Sequence, residues 1–164
     1  MNDGRRAVTI RAATAADGAA MLELLPRLAD FEIPAHREPR HLYQDDEALL
    51  RRWLGGRAPE CRVLVAVDGD ALLGLTLTTL QPEPLSHRPG AHLEVIAVAA
   101  GAEGRGVGRA LMDAAESQAL EEGAEFMTLH VLSANTRARA LYERCGYSGE
   151  LLRYIKPLGG TEKQ

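Results

Sequence analysis

Between an apolar run, HLEVIAV at residues 92–98, and a helical run that starts near Val107, the chain places glycine at alternate positions: Gly104, Gly106 and Gly108. Glycine frees the backbone for left-handed φ and removes side chains, so successive amide N–H groups there can curl toward one bulky anion. The same residues would also serve a tight reversal from strand to helix, and the glycines by themselves leave both readings open. A magnesium-dependent phosphate loop is excluded, because it needs Gly-Lys-Ser/Thr where Gly106 is followed by Val107 and Gly108. A dinucleotide fingerprint would need its third glycine where the chain has Arg109 or Leu111, according to frame. What remains on the anion side is a strand-loop-helix that aims free amides and a helix N-terminus at a pyrophosphate, with Arg105 and Arg109 as countercharge and no metal.

The rest of the chain alternates between strand and helix patterns. AVTIRAA at residues 7–13 reads as a short strand, followed by a helix with Thr14 as N-cap and apolar spacing through Met21, Leu22, Leu25 and Leu28, kinked or ended by Pro26. Residues 32–45 read as a loop able to act as a lid, and DEALLRRWLGG as a short helix whose Leu49, Leu50 and Trp53 form an apolar face. Two β-rich runs flank Asp68, Gly69 and Asp70, a hairpin signal. A Pro-rich loop precedes the strand ending at Val98. Beyond the glycines come a helix over about 107–122 closed by Gly123, a strand EFMTLHV, a helix capped by Asn135 and ended by Gly146, and a final strand or hairpin in YSGELLRYIKPL. The order β-α-α-β-β-β-α-β-α-β predicts an α/β fold, a mixed central sheet with helices on both faces.

Length and composition fit a single soluble domain. The 164 residues, 46% hydrophobic and 26% charged with a net charge of −4, suffice for a core without staples. Basic residues are scattered among acids, which argues against nucleic acid as a partner. No stretch reaches the ~18 apolar residues of a membrane span, and the N-terminal residues lack a signal-peptide core, so a cytoplasmic protein is expected. Cys61 and Cys145 form no CxxC pattern, and His36, His41, His87, His92 and His130 lack zinc-ligand spacing, so no metal is expected.

HLEVIAVAAGAEGRGVGRALM followed by LHVLSANTRARALYERCGY resembles the GNAT superfamily of acyl-CoA-dependent N-acetyltransferases. The likeness spans about residues 8–156 and rests on two separated motifs in the right order with a strand between them. It implies that acetyl-CoA is the donor, that an amine is the acceptor, and that a homodimer is an available arrangement. It further implies that backbone groups of Ile96, Ala97 and Val98 hold the pantetheine arm and polarise the thioester. Residues 103–109, namely Glu103, Gly104, Arg105, Gly106, Val107, Gly108 and Arg109, would bind the pyrophosphate. Asn135 would contact the arm, and Tyr142 would protonate the leaving thiolate. Glu103 departs from the family, which has Gln or Arg there, and its negative side chain should point away from phosphate.

Glu94 is two residues from Ile96 and shares its strand face. A carboxylate in a partly apolar setting suits removal of a proton from an amine of pKa ~10, and Glu94 is the candidate base, with His92 behind it. A solvated acid at a strand end is the competing reading. The loop at 32–45 and the Pro-rich segment at 82–91 are expected to flank the acceptor cleft. Tyr147, Tyr154 and Cys145 are expected to pack. A CoA-binding module without turnover is the alternative function.

Overall fold

The hairpin at the centre of the sheet follows from its turn: β2 (Cys61–Asp68) and β3 (Ala71–Leu80) are joined through Gly69, whose φ is 61°, a conformation glycine takes without steric cost. The computed structural model describes residues 7–159. β1 (Thr9–Ala12) pairs antiparallel with β2, β4 (Gly90–Val98) antiparallel with β3, and β5 (Phe126–Leu129) parallel with β4, giving the order β1-β2-β3-β4-β5. Helices α1 (Gly18–Leu24), α2 (Gln44–Leu54), α3 (Val107–Glu121) and α4 (Thr136–Arg144) complete the fold. None of the described helices is long and apolar enough to cross a membrane.

Alternation along the central strands splits the core in two. Val63, Val65, Leu75, Leu77, Val95 and Ala97 face α1 and α2, where Met21, Leu24, Leu25 and Leu50 close over them, with Leu49 and Trp53 at the margin. Leu64, Ala66 and Leu73 face the other way and meet Val107, Leu111 and Ala115 of α3. Gly74 is the contact that sets the α3 distance: a Cβ there would lie 2.8 Å from the Ala97 carbonyl oxygen and 2.9 Å from Leu111 Cδ1. Each fully buried Leu contributes about 1.5–3 kcal/mol by leaving water. Pro26 acts as expected, since α1 tightens at Leu25 into a 3₁₀ turn that runs to Ala29.

Two departures from the sequence reading matter for the site. First, the parallel pairing of β5 with β4 stops at Leu93, so residues 94–98 of β4 have no strand on that side. The register opposite β3 also slips there: Leu77 faces Val95 while Thr78 faces Leu93, which leaves Glu94 as the extra residue of a β-bulge. Bulges bend a strand and re-aim its side chains. Second, the expected strand or hairpin within 147–158 is absent, because none of residues 147–158 belongs to a strand. Strand propensity is realised only against a partner edge, and the four residues of β5 do not recruit one. Leu151, Leu152, Tyr154 and Leu158 are exposed, so Tyr154 does not pack as expected, whereas Tyr147 lies edge-on to Tyr142 with ring centroids 6.3 Å apart.

Candidate active site

The six consecutive amides from Gly104 to Arg109 donate no hydrogen bond to any other backbone group of the described residues, while Ala110 N–H resumes helical bonding to the Gly106 carbonyl at 3.0 Å. A helix leaves its first amides free in any case, and the loop adds two more. Gly104 and Gly106 have φ of 73° and 75°, and an added Cβ at either would meet nothing within 4 Å, so here the glycines serve backbone conformation beside open space. Gly108 serves a different purpose. It lies inside α3, where a Cβ would approach Leu141 Cδ2 to 3.3 Å, so its missing side chain lets α4 close on α3. Val107 buries its side chain in the core and has only its amide to offer.

The charged neighbours are tied down. Arg105 pairs with Asp68 at 3.2 Å, beside the hairpin turn, and Arg109 pairs with Asp113 at 3.1 Å while donating to the Arg144 carbonyl. Glu103 accepts from Arg137 of α4 at 2.7 Å and from Arg27 of the turn after α1, and Arg27 Nε also donates to the Val98 carbonyl at 3.0 Å. These arginines hold the Glu103 carboxyl below its usual range, the hydrogen bond from Arg137 being the main cause. Glu103 thus works as a clamp that joins three elements around the glycine loop.

Along the free edge of β4 runs a cleft of about 250 Å³. Glu94 and Ile96 line it from the strand, Tyr142 from α4 and Asn135 from its N-cap, Leu28, Phe31 and Leu42 from the segment between α1 and α2, and Asp46 from the first turn of α2. Glu94 accepts from the Thr79 hydroxyl at 2.7 Å, with His92 Nε2 4.0 Å from its second oxygen. The other nitrogen of His92 shares a hydrogen bond of 2.7 Å with Thr128, and the His92 and His130 rings lie 4.7 Å apart. Burial lowers the pKa of His92 against the opposing pull of Glu94. Asn135 caps α4 by accepting from Ala138 N–H at 3.2 Å, which fixes the helix that carries Tyr142. Burial pushes the Tyr142 phenol up to about 12, so it stays a proton donor at neutral pH. Burial likewise raises the Cys145 thiol, which disfavours the nucleophilic thiolate.

The structure therefore brings Glu94, Ile96, Asn135 and Tyr142 to one cleft, with His92 beside them, and places the glycine loop just past the end of the same strand. Ala97 turns its side chain into the core under α1 and α2. No residue of the 82–91 segment lines the cleft, so of the two expected flanking loops only the α1–α2 segment borders it, through Leu42. Asp46 is the residue that sequence reasoning missed. It sits in the first turn of α2 with Asp45 and Glu47, a run that reads as ordinary helix N-terminal acids. Burial first, then the charges of Glu94 and Asp45, raise its carboxyl to about 7.

Residues 25–147 match the model of the acetyltransferase (GNAT) family. An uncharacterised N-acetyltransferase of Bacillus subtilis strain 168, YhfO, is 30% identical over 140 residues, 85% of this chain and 89% of that protein. A mycothiol acetyltransferase of Beutenbergia cavernae is 37% identical over 90 residues, 55% of this chain, and the match spans only 29% of that relative's length. In fold, the chain is similar to the ribosomal-protein-alanine N-acetyltransferase of Brucella melitensis biovar Abortus 2308, with a TM-score of 0.68 at 22% identity over 93% of this chain and 100% of that one. With three quarters of its length inside the family model and the same sheet and helices, this chain belongs to the GNAT family of acetyltransferases.

Proposed function

We propose that the protein transfers an acetyl group from acetyl-CoA to a primary amine by direct attack. The observation that carries this reading is the continuity of one strand: from Glu94 to Val98 the outer edge of β4 has no strand partner, with the Val98 carbonyl taken by Arg27, and the six free amides of 104–109 follow where it ends. The four steps between the five residues from Glu94 to Val98 span about 13 Å. The diphosphate of the donor would lie on the amides, and its extended arm would complete the edge that β5 leaves open. Ala97, expected to share in this, turns its backbone toward Leu75 of β3, so the amide dipoles of Ile96 and Val98 alone face the open edge, where they would stabilise the thioester oxygen as it gains negative charge, with little reorganisation.

Glu94 accepts one proton from the incoming ammonium, directly or through water. The amine lone pair then forms the new C–N bond as the C–S bond breaks, the departing thiolate takes the phenolic proton of Tyr142, and the second N–H proton shed as the amide forms returns to the phenolate through water. No acyl-enzyme is needed. The mycothiol relative matches over too little of its own length for its acceptor to carry over, and the ribosomal-protein relative supports the fold alone.

Acetyl-CoA at 100 times its dissociation constant should stabilise the protein by about 2.7 kcal/mol, read as a rise in Tm. Thiol release with an amine panel should fall about 10²- to 10⁴-fold in Glu94→Gln and Tyr142→Phe, while the Tm rise persists in both. No protection by acetyl-CoA would remove the donor assignment. Protection without thiol release on any amine would make the chain a CoA-binding module.

A further inference from the structure

The acceptor end of the cleft has a charge pattern that selects among amines. Its two ionisable carboxyls come from opposite walls, Glu94 from the bulge in β4 and Asp46 from the first turn of α2, and no lysine or arginine lines the space between. Glu94 already accepts from Thr79, whereas Asp46 has no hydrogen bond or ion pair among the described residues, although Glu47, the next residue, pairs with Arg40 and Arg51. The His92 ring beside Glu94 lies tilted by 56° against that of His130, and His92 is held toward its neutral form by burial. Leu28, Phe31 and Leu42 supply an apolar wall on the Asp46 side.

On the reading above that this cleft binds the amine substrate, we infer that Asp46 is a specificity-determining residue that selects a cationic primary amine with a short apolar body and no carboxylate next to the amine. The physical reason is symmetric. A bare ammonium entering between Asp46 and Glu94 sets its charge against both carboxyls and draws Asp46 into its ionised form, so that one of the two remains to orient it after Glu94 has taken the proton. An α-amino acid would carry its own carboxylate into the same space, where like charges at close range and without a basic partner cost affinity steeply. The wall of Leu28, Phe31 and Leu42 then takes an aliphatic side chain. The chemistry that fits is an α-amine whose neighbouring carboxyl is already an amide or ester, or a simple alkylamine.

Leucinamide and leucine form the discriminating pair, since they differ in that one charge. Calorimetric titration of each into CoA-saturated protein should show leucinamide binding at least about tenfold more tightly, equivalent to about 1.4 kcal/mol. Asp46→Asn should weaken leucinamide about tenfold and leave the two ligands within about threefold of each other, with the Tm rise from CoA unchanged. In turnover, the same variant should raise KM for leucinamide with kcat within about threefold, a split that a merely structural role would not produce. Equal affinity of the two ligands for the wild-type protein, or a preference that survives Asp46→Asn, would overturn the inference. Selective binding without thiol release from acetyl-CoA would uphold the charge selection and remove the transferase reading instead.

Discussion

The β2–β3 hairpin and the arm formed by β5 and α4 are held in the sheet by opposite means. The hairpin is covered on both faces, by α1 and α2 over Val65, Leu75 and Leu77 and by α3 over Leu64, Ala66 and Leu73. In β5 and α4 no residue is fully buried, and beyond Tyr147 the chain carries its apolar side chains into solvent. Stability is unevenly distributed in proteins, and segments that bind and release ligands are drawn from its lower end. Here the candidate active site lies on the boundary: β4 shares its register with the sealed hairpin on one side and gives an open edge to the loose arm on the other. The sealed half positions the backbone groups and Glu94, and the loose half brings Tyr142.

The most direct way to break that comparison is truncation on each side. Leu77→Ala, at a side chain with no exposure, should cost about 2–5 kcal/mol, read from the denaturant midpoint. Leu141→Ala in α4, at a half-buried side chain, should cost about 1–2 kcal/mol on the same scale. Equal losses would show that the arm is as much a part of the cooperative core as the hairpin is. Unequal losses, with Leu141→Ala weakening CoA protection more than Leu77→Ala does, would sharpen the division.

A smaller effect is expected at the boundary itself. The Asp46 carboxyl rises from the ordinary 3.8 to about 7 because burial and the charges of Glu94 and Asp45 favour its neutral form. The folded protein therefore binds more protons than the unfolded chain between about pH 4 and 7, so folding loses stability as pH rises through that window and the full loss is present above it. Water in the cleft screens the group, which brings the loss down to about 1–2 kcal/mol. Asp46→Asn should accordingly melt about 3–6 °C above the wild type at pH 8, with the difference vanishing near pH 4. A carboxylate that burdens the fold at neutral pH yet lines the cleft is what a stability–function trade-off produces. A Tm difference independent of pH would separate Asp46 from that account.

The sequence was informative where one local rule acts alone. The Asp-Gly turn at 68–70, the Asn135 cap and the left-handed Gly104 and Gly106 each follow from the chemistry of one or two residues. Glu94 was legible as a candidate because strand alternation places it with Ile96. Its arrival in the cleft through a bulge was not, since the bulge depends on how Thr78 and Leu77 register across β3. Gly108 looked like the third member of a cradle, and only the approach of Leu141 shows it to be a packing glycine. Asp46 was hidden for the same reason. Its local context is that of any acid at a helix start, and its meaning comes from Glu94, 48 positions later, on the opposite wall. The 147–158 segment failed in the other direction, because alternating apolar residues specify a strand only where an edge waits to receive it.

That last segment yields the smallest prediction. Leu152 is 83% exposed and belongs to no described element. Exchange of such a side chain for a polar one removes almost no buried area, and surface substitutions away from caps and networks usually stay within about 0.5 kcal/mol. Leu152→Ser should therefore leave the denaturant midpoint within that margin and leave CoA protection intact. A loss several times larger would mean that the apolar residues after Tyr147 are covered in solution, and the loose half of the molecule would then be looser in outline than in fact.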